Sequence, residues 1–552
     1  MNRHDALSEI RMQIMWNRLL AVVEEQAQTL MRSAFSPIVR ECGDLSAGIF
    51  DLKGRMLAQA VTGTPGHVNS MAESVKHFIT HFPVETMREG DIYITNDPWR
   101  GTGHLNDFVL TTPAYHHGRL VGLFSCTSHL IDIGGIGFGP DANDVHAEGI
   151  YIPMLKLAEN GVINHTLMEM IKANTRMPVE SEGDVYSLAA CNDIGCQRLS
   201  EMMDEFELTD LDDLAAHIID NSRQAVLNRI AAVPNGVYRN TMTVDGYDHP
   251  LDLVATTTVS DDGIHVDYDG TSPMSKFGIN VPLAYTTAYT VFGLGCAIAP
   301  DIPNNAGSLA PFTVGAPTGS ILNAPYPAAV SSRHVVGQML PDVVFGCLRQ
   351  AVPDRVPAEG TSCLWTITLR GQVAGRNDAA SVTFNAVTNG GTGARPGKDG
   401  LSATAYPSGV RGTPVEITES TLPVIVWRKE LRPDSGGAGK TRGGHGQTIE
   451  IESSNGAPLE ILAAFDRIDH PPRGRDGGAD GAAGYLGLKS GTKLRGKGFQ
   501  DIPAGDRLVV LTPGGGGLGD TAERDRGAVE ADLRDGLISR EAASDLYGHN
   551  VD

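Results

Sequence analysis

The chain has no Cys-x-x-Cys pair. Its seven cysteines are scattered over 552 residues, with Cys191 and Cys196 the closest two. That spacing argues against a thiolate metal site or a disulfide framework and fits reduced, mostly buried thiols in a cytoplasmic protein. Basic charge is also scarce: 44 Lys and Arg stand against 66 Asp and Glu, a net charge of −22 with no local basic run. A field of that sign repels a phosphate backbone, so nucleic acid is excluded as a partner. Long apolar runs are missing as well. No stretch offers the roughly 18 uncharged apolar residues of a membrane span. The start, with Arg3, Asp5, Glu9 and Arg11, lacks the apolar centre of a signal peptide.

Glycine is what the chain has in excess. There are 65 in 552 residues, about 12% against an ordinary 7% or so, clustered rather than periodic. Clusters of this kind suit tight turns and backbone approaching a ligand, where a Cβ would collide. The length exceeds one ordinary core, so two to four packed lobes are expected.

Hydrophobic periodicity predicts an α+β, multi-lobed chain: a long N-terminal helix, a β-rich lobe, a helical middle and a glycine-rich β C-terminal part. The first helix runs from Ala6 to about Ser33, with Ile10, Ile14, Leu19, Val22 and Met31 on its apolar stripe and Ser36-Pro37 as its stop. Strands are expected at Ser46–Asp51, Asp91–Thr95, Phe108–Tyr115 and Arg119–Thr127, with a helix at Ser70–Phe82 between them. Helix returns at Ile163–Lys172 and from Asp184 to Ala232. Beyond lie strands at Val237–Val244 and Gly263–Tyr268, then helices at Leu283–Cys296 and Val335–Gln350, the second kinked at Pro341. After Asn389 the pattern is poor in strands, with runs at Val415–Trp427 and Thr448–Ala464 and a helical tail over Asp520–Leu546. These changes of texture divide the chain into 1–235, 236–388 and 389–552.

The densest polar constellation lies between Asn96 and Gly135. His104 and Asp107 are three apart in a turn, near enough to hold one ion, and His129 closes the apolar run Leu120–Cys126 at a sheet edge. Asp44 precedes another expected strand. Two imidazoles with two carboxylates suit Mn²⁺, Fe²⁺ or Zn²⁺ and not a calcium cage. Spacing leaves a plainer alternative open, with Asp107 capping a turn and His129 a satisfied core histidine.

Several strings carry a resemblance that spans nearly the whole chain. They are Gly43-Asp44-Leu45-Ser46, Gly66-His67, Asn96-Asp97-Pro98, Gly103-His104-Leu105-Asn106-Asp107, Asp132-Ile133-Gly134-Gly135 and Glu148-Gly149. Pro303-Asn304-Asn305-Ala306-Gly307, the run Arg432–Gly439 and Thr512-Pro513-Gly514-Gly515-Gly516-Gly517 follow in the same order. Together they resemble the hydantoinase B/oxoprolinase family. The resemblance implies a divalent metal held by Asp44, His104, Asp107 and His129, with Asp132, His146 and Glu148 as candidates for proton transfer. The segment before Glu148 reads Asp144-Val145-His146-Ala147, where many relatives carry a glutamate and a tyrosine, so His146 belongs to this branch.

The resemblance also implies a division of labour. An A-type subunit of the actin-like kinase fold uses ATP to phosphorylate the carbonyl oxygen of a small-molecule substrate. The present chain then opens the activated hydantoin, oxoproline or other lactam ring, in a hetero-oligomer such as a dimer of A–B pairs. Two alternatives remain: a subunit of an ATP-dependent ketone carboxylase acting on acetone or acetophenone, and a non-catalytic scaffold that has lost its metal.

Other motifs lead elsewhere. Gly436–Thr441 imitates the end of a Walker A loop, but Asp434 replaces its first glycine and Arg442-Gly443-Gly444-His445-Gly446 cannot hold the required helix. It reads as a structural loop or a docking surface for the partner. Thr512–Gly519 reads as a tight turn rather than a phosphate cradle. Arg333 and His334 are either substrate contacts or an ordinary surface pair. His116-His117 before Gly118 reads as a turn tip, with no role assigned.

Overall fold

The computed structural model describes residues 3–372 and 381–549, with side chains over 7–371 and 383–549. Its organising element is a seven-stranded antiparallel sheet in the order Met56–Gln59, Leu45–Phe50, Arg119–His129, Asp107–His116, Ile92–Thr95, Leu155–Glu159, Val162–Ile163. Alternation along its central hairpin decides what each face meets. Leu110 and Cys126 point to one side and share a core with Val185, Leu188 and Ala189 of the helix Pro178–Glu205 and with Ala27 and Leu30 of the helix Arg3–Ser33. Val109 and Leu123 point to the other side, against Val68, Met71, Val75 and Phe78 of the helix Pro65–His81. A helix therefore covers each face, and up to the bulge at Ala114 the odd-numbered residues of the hairpin, 107–113 and 123–129, look toward Pro65–His81.

The N-terminal helix forms as expected, but its packing stripe starts late. Met15, Trp16, Leu19, Val22 and Val23 are buried, whereas Leu7, Ile10 and Ile14 stay exposed. The helical stretch expected over Asp184–Ala232 is two helices, Pro178–Glu205 and Asp212–Ile230. The chain breaks at Glu207, a non-glycine residue with φ +54°, a backbone no helix accommodates. The segment around Pro341 is likewise divided, into His334–Gly337 and Leu340–Leu348, with Pro341 in the first turn of the second. There its missing N–H costs no hydrogen bond.

A second sheet orders Phe312–Gly315, Gly263–Asp267, Leu251–Ser260 and Gly236–Val244; its one parallel pair is the first. The C-terminal third is richer in strands than its sequence suggests. Ser381–Thr388, Trp365–Gln372, Leu459–Ala464 and Lys497–Ile502 make one sheet, and Val424–Leu431, Gln447–Ser453, Arg507–Leu511 and Tyr485–Leu488 another. The run expected at Val415–Trp427 begins as a helix, Val415–Thr421, before the strand. Pairing of Leu369 with Ile461 carries sheet hydrogen bonding across residue 388, and one apolar core extends from Ile131 to Val510.

The glycine clusters knot together. Gly443 N donates to Gly437 O (2.9 Å), Gly437 N to Gly515 O (2.8 Å), Gly515 N to Gly444 O (2.9 Å) and Ala394 N to Gly516 O (2.8 Å). A Cβ at Gly515 would stand 1.8 Å from the Thr392 carbonyl. In the two phosphate-loop lookalikes, Gly437, Lys440 and Thr441 donate to Gly515, Gly519 and Leu518, while Gly514, Gly516 and Gly517 donate to Ala482, Glu359 and Ala479. These N–H groups are thus spent on backbone carbonyls, and the glycines serve backbone-on-backbone packing. No helix among the described residues is long and apolar enough to cross a membrane. Cys42, Cys126, Cys191, Cys347 and Cys363 are buried, and all seven cysteines are unpaired.

Candidate metal centre

Sheet register builds the site. Asp107 opens its strand directly opposite His129, which ends the neighbouring one. Both are odd-numbered, so both face the start of the helix Pro65–His81. On the far side of His129, its N–H donates to the Asp44 carbonyl (3.3 Å), which brings the residue before the strand Leu45–Phe50 alongside. His104 comes back from the turn that precedes Asp107. All four side chains are nearly inaccessible, Asp44 being the most exposed at 8%.

Asp107 Oδ1 lies 2.7 Å from His104 Nε2 and 3.3 Å from His129 Nδ1. These three residues bring one ligand atom each to within 4.8 Å of one another. The other oxygen, Oδ2, accepts from Thr102 Oγ1 (2.7 Å) and Arg333 (2.6 Å) and lies 2.9 Å from His67 Nε2. His104 donates Nδ1–H to the Ser331 carbonyl (2.9 Å), because a carbonyl can only accept. A neutral His104 then carries a bare lone pair on Nε2. Burial, with Arg333 adding to it, pushes His104 down to about 3, so it is neutral at physiological pH. Burial would raise Asp107, but His104, His67 and Arg333 more than reverse this and hold it well below the usual carboxylate range. A lone pair therefore faces a carboxylate oxygen at 2.7 Å, and neither atom has a hydrogen-bond partner among the described residues. Two acceptors at that distance repel unless a cation stands between them, so the residues fit a divalent ion with ligands already in their binding protonation states.

In the sequence His67 stands out only as part of the string Gly66-His67, outside a helix expected to begin at Ser70. The helix begins earlier, at Pro65, behind Thr64. Proline at the first helical position is the signal that marks this start. Burial lowers His67, but Asp107 and Asp44 outweigh it and the net shift is upward. His67 Nδ1 is 3.5 Å from Asp44 Oδ1, which also accepts from Thr64 Oγ1 (3.1 Å). Asp44 thus lines the same cavity with His67 between it and Asp107. Gly66, beside it, has no room for a Cβ, which would meet the Tyr289 ring at 2.4 Å.

Arg333 and His334 are not a surface pair. Arg333 is buried, donates Nε–H to the Thr102 carbonyl (2.8 Å) and lies 4.0 Å over the Tyr285 ring. Gly103, at φ +95°, permits this, since a Cβ there would stand 2.7 Å from Arg333 Nε. His334 stacks on Phe138, which also packs edge-on against His104 and His129. The cavity these groups enclose measures about 30 Å³, enough for about two waters. Thr366, Asn385 and Val387 form part of its far wall. His334 Nε2 and both polar atoms of Asn385 lack partners among the described residues.

The structure does not bring Asp132 or His146 to this cavity. Asp132 is held by Arg176 (2.7 Å) and Thr175 (2.9 Å). His146 is exposed, with Nε2 3.0 Å from the Tyr326 hydroxyl. Glu148 is buried, and its Oε1 accepts from Val330 N (2.6 Å) and Ser331 N (2.7 Å). It thereby fixes the loop whose Ser331 carbonyl orients His104. Burial pushes Glu148 up to about 8, against the pull of those two N–H groups. Between the unfolded value near 4.5 and 8 the folded chain binds one more proton than the unfolded chain, so wild-type stability falls as pH rises through that window. Glu148→Gln is expected to remove this decline. Thermal unfolding of both chains from about pH 5 to 8 checks it, and parallel curves would contradict the assignment.

A buried centre of two histidines and a carboxylate, set at the end of one antiparallel hairpin, is the class of site this fold defines. The chain belongs to the hydantoinase B/oxoprolinase family, whose profile matches residues 8–521. It is 30% identical to the B-type component of a putative D-/L-hydantoinase from a Pseudomonas species, with 99% of this chain and 95% of that one covered. The crystal structure of the ATP-dependent caprolactamase from Pseudomonas jessenii superposes with a TM-score of 0.89 at 25% identity, covering 98% and 96% of the two chains. Nucleotide-free acetone carboxylase shares the fold with a TM-score of 0.85 at 20% identity, covering 97% of this chain and 79% of that one.

Proposed function

We propose that this chain is the metal-bearing B-type subunit of an ATP-dependent cyclic-amide hydrolase. In this reading it opens a hydantoin, oxoproline or other lactam ring after an A-type kinase-fold partner has phosphorylated the substrate. The observation that carries the proposal is the pair of unpartnered acceptors, His104 Nε2 and Asp107 Oδ1, facing each other 2.7 Å apart. Together with His129, and with Asp44 and His67 in reach, they would hold a Mn, Zn or Fe ion. Such an ion supplies Lewis-acid polarisation and a nucleophile at neutral pH.

The chain's own residues supply position and exclusion. Thr102 and Arg333 occupy Oδ2 of Asp107 and so leave Oδ1 to point at the two histidines. Ser331, held by Glu148, fixes the His104 tautomer, the role outer groups play around metal ligands. Phe138 closes the site, and His334 and Asn385 are the polar groups left to meet a substrate. A lactam ring is larger than the cavity, so turnover in this reading includes a parting of the walls.

The test is the assembled A–B complex, a dimer of such pairs in this reading, given ATP and a panel of hydantoin, 5-oxoproline and simple lactams. ATP-dependent appearance of a ring-opened acid is expected for at least one of them. The carboxylase alternative is tested in parallel with labelled bicarbonate and a ketone. A labelled β-keto acid without any ring opening would overturn the proposal, as would turnover by this chain alone. A chain that stays metal-free when metal is supplied would favour the scaffold.

A further inference from the structure

We infer that His116, His117 and Asp204 form a second divalent-cation site, of the zinc class. It pins the tip of the central hairpin to the end of the helix Pro178–Glu205. The site lies at the opposite end of the two strands that carry Asp107 and His129. About nine residues of extended chain separate it from that centre, about 30 Å at roughly 3.4 Å per residue.

The three side chains bring one ligand atom each to within 4.8 Å of one another, and the hydrogen bond between His117 Nε2 and Asp204 Oδ1 is the contact an ion would replace. Asp204 Oδ1 lies 3.1 Å from His117 Nε2 and 3.7 Å from His116 Nε2. The edges of a tetrahedron with bonds of about 2.0–2.1 Å are about 3.3–3.4 Å long, midway between those distances. His116 is buried, and its Nδ1 is 2.9 Å from Ser200 Oγ. That contact leaves Nε2 turned toward Asp204, the arrangement an outer hydrogen bond imposes on a metal-binding imidazole. His117 turns the hairpin tip at φ +48°, a left-handed backbone that histidine adopts more readily than most side chains. Its ring centroid comes within 4.1 Å of that of His116. His117 and Asp204 are 76% and 59% exposed, so a water can complete the coordination. The site also stands at the rim of the 830 Å³ groove lined by Tyr115, Ser200 and Asp204.

The test compares wild type with His117→Ala and Asp204→Asn, both exposed positions whose replacement leaves the fold intact. Each chain is titrated with Zn²⁺ and with Co²⁺, and bound metal is counted after gel filtration. Wild type is expected to bind one equivalent more than either variant, whatever the buried centre holds. Zn²⁺ should also raise the unfolding temperature of wild type more than that of either variant. Ring opening by the complex is expected to be unaffected. Equal metal counts in the three chains would overturn the inference and leave a hairpin-to-helix hydrogen bond in its place.

Discussion

His104→Ala is expected to abolish product formation by the assembled complex while its partner continues to hydrolyse some ATP. His104 has two attachments, Nδ1 to the Ser331 carbonyl and Nε2 toward Asp107 Oδ1. Only the second belongs to the reaction in the proposed reading. Polarisation by a metal is worth several kcal/mol, and at about 1.4 kcal/mol per decade its loss slows ring opening about 10³-fold or more. Metal content of the purified variant should fall in parallel. Single-turnover assay beside metal analysis checks both, and a fully active, metal-loaded variant would show that the ion is held by other residues. Continued ATP use in the variant separates loss of this centre from failure of the two chains to assemble.

The second large effect is expected on stability. Arg333→Leu removes a buried guanidinium that reaches Asp107 Oδ2 at 2.6 Å and the Thr102 carbonyl at 2.8 Å and covers the Tyr285 ring. Breaking a buried ion pair from one side costs about 3–5 kcal/mol, since the remaining carboxylate keeps its desolvation and loses a partner. The metal-free chain should therefore unfold at clearly lower denaturant. Arg333 is also among the groups that hold Asp107 ionised. That contribution to stability is present above the ordinary aspartate range and lost as pH falls through the depressed folded value. The variant should consequently lose its acid resistance earlier on the way down in pH. An unchanged denaturation midpoint would mean that His67 and Thr102 satisfy Asp107 without it.

Elements with a clear period are legible in the sequence. The N-terminal helix, the hairpin Asp107–His129 and the helix Leu283–Ile298 appear within a few residues of expectation, because each buries a stripe or a face continuously. The C-terminal sheets are hidden. Their strands are short and separated by glycines whose packing is decided by distant backbone, as at Gly515 against Thr392. At the site, His104, Asp107 and His129 converge as the turn and the sheet edge suggest. His67 and Arg333 join them from far along the chain, Arg333 across 226 positions, a closeness that only the packing of the helices Pro65–His81 and Leu283–Ile298 creates. Asp132 and His146 show the opposite relation. They are near the proposed ligands in sequence, but Asp132 turns to Arg176 and His146 to solvent and Tyr326.

In the proposed reading, the tightness of the walls around Asp107 has a bearing on which element a preparation would contain. Where the proposed ligands are all nearly inaccessible, swapping one ion for another would wait on a rare breathing motion rather than on competition in free solution. Intrinsic preference among first-row metals rises toward copper, yet a site sealed during folding retains whatever was abundant around the nascent chain. Two batches of identical sequence can then differ in content and rate according to the medium in which the cells were grown.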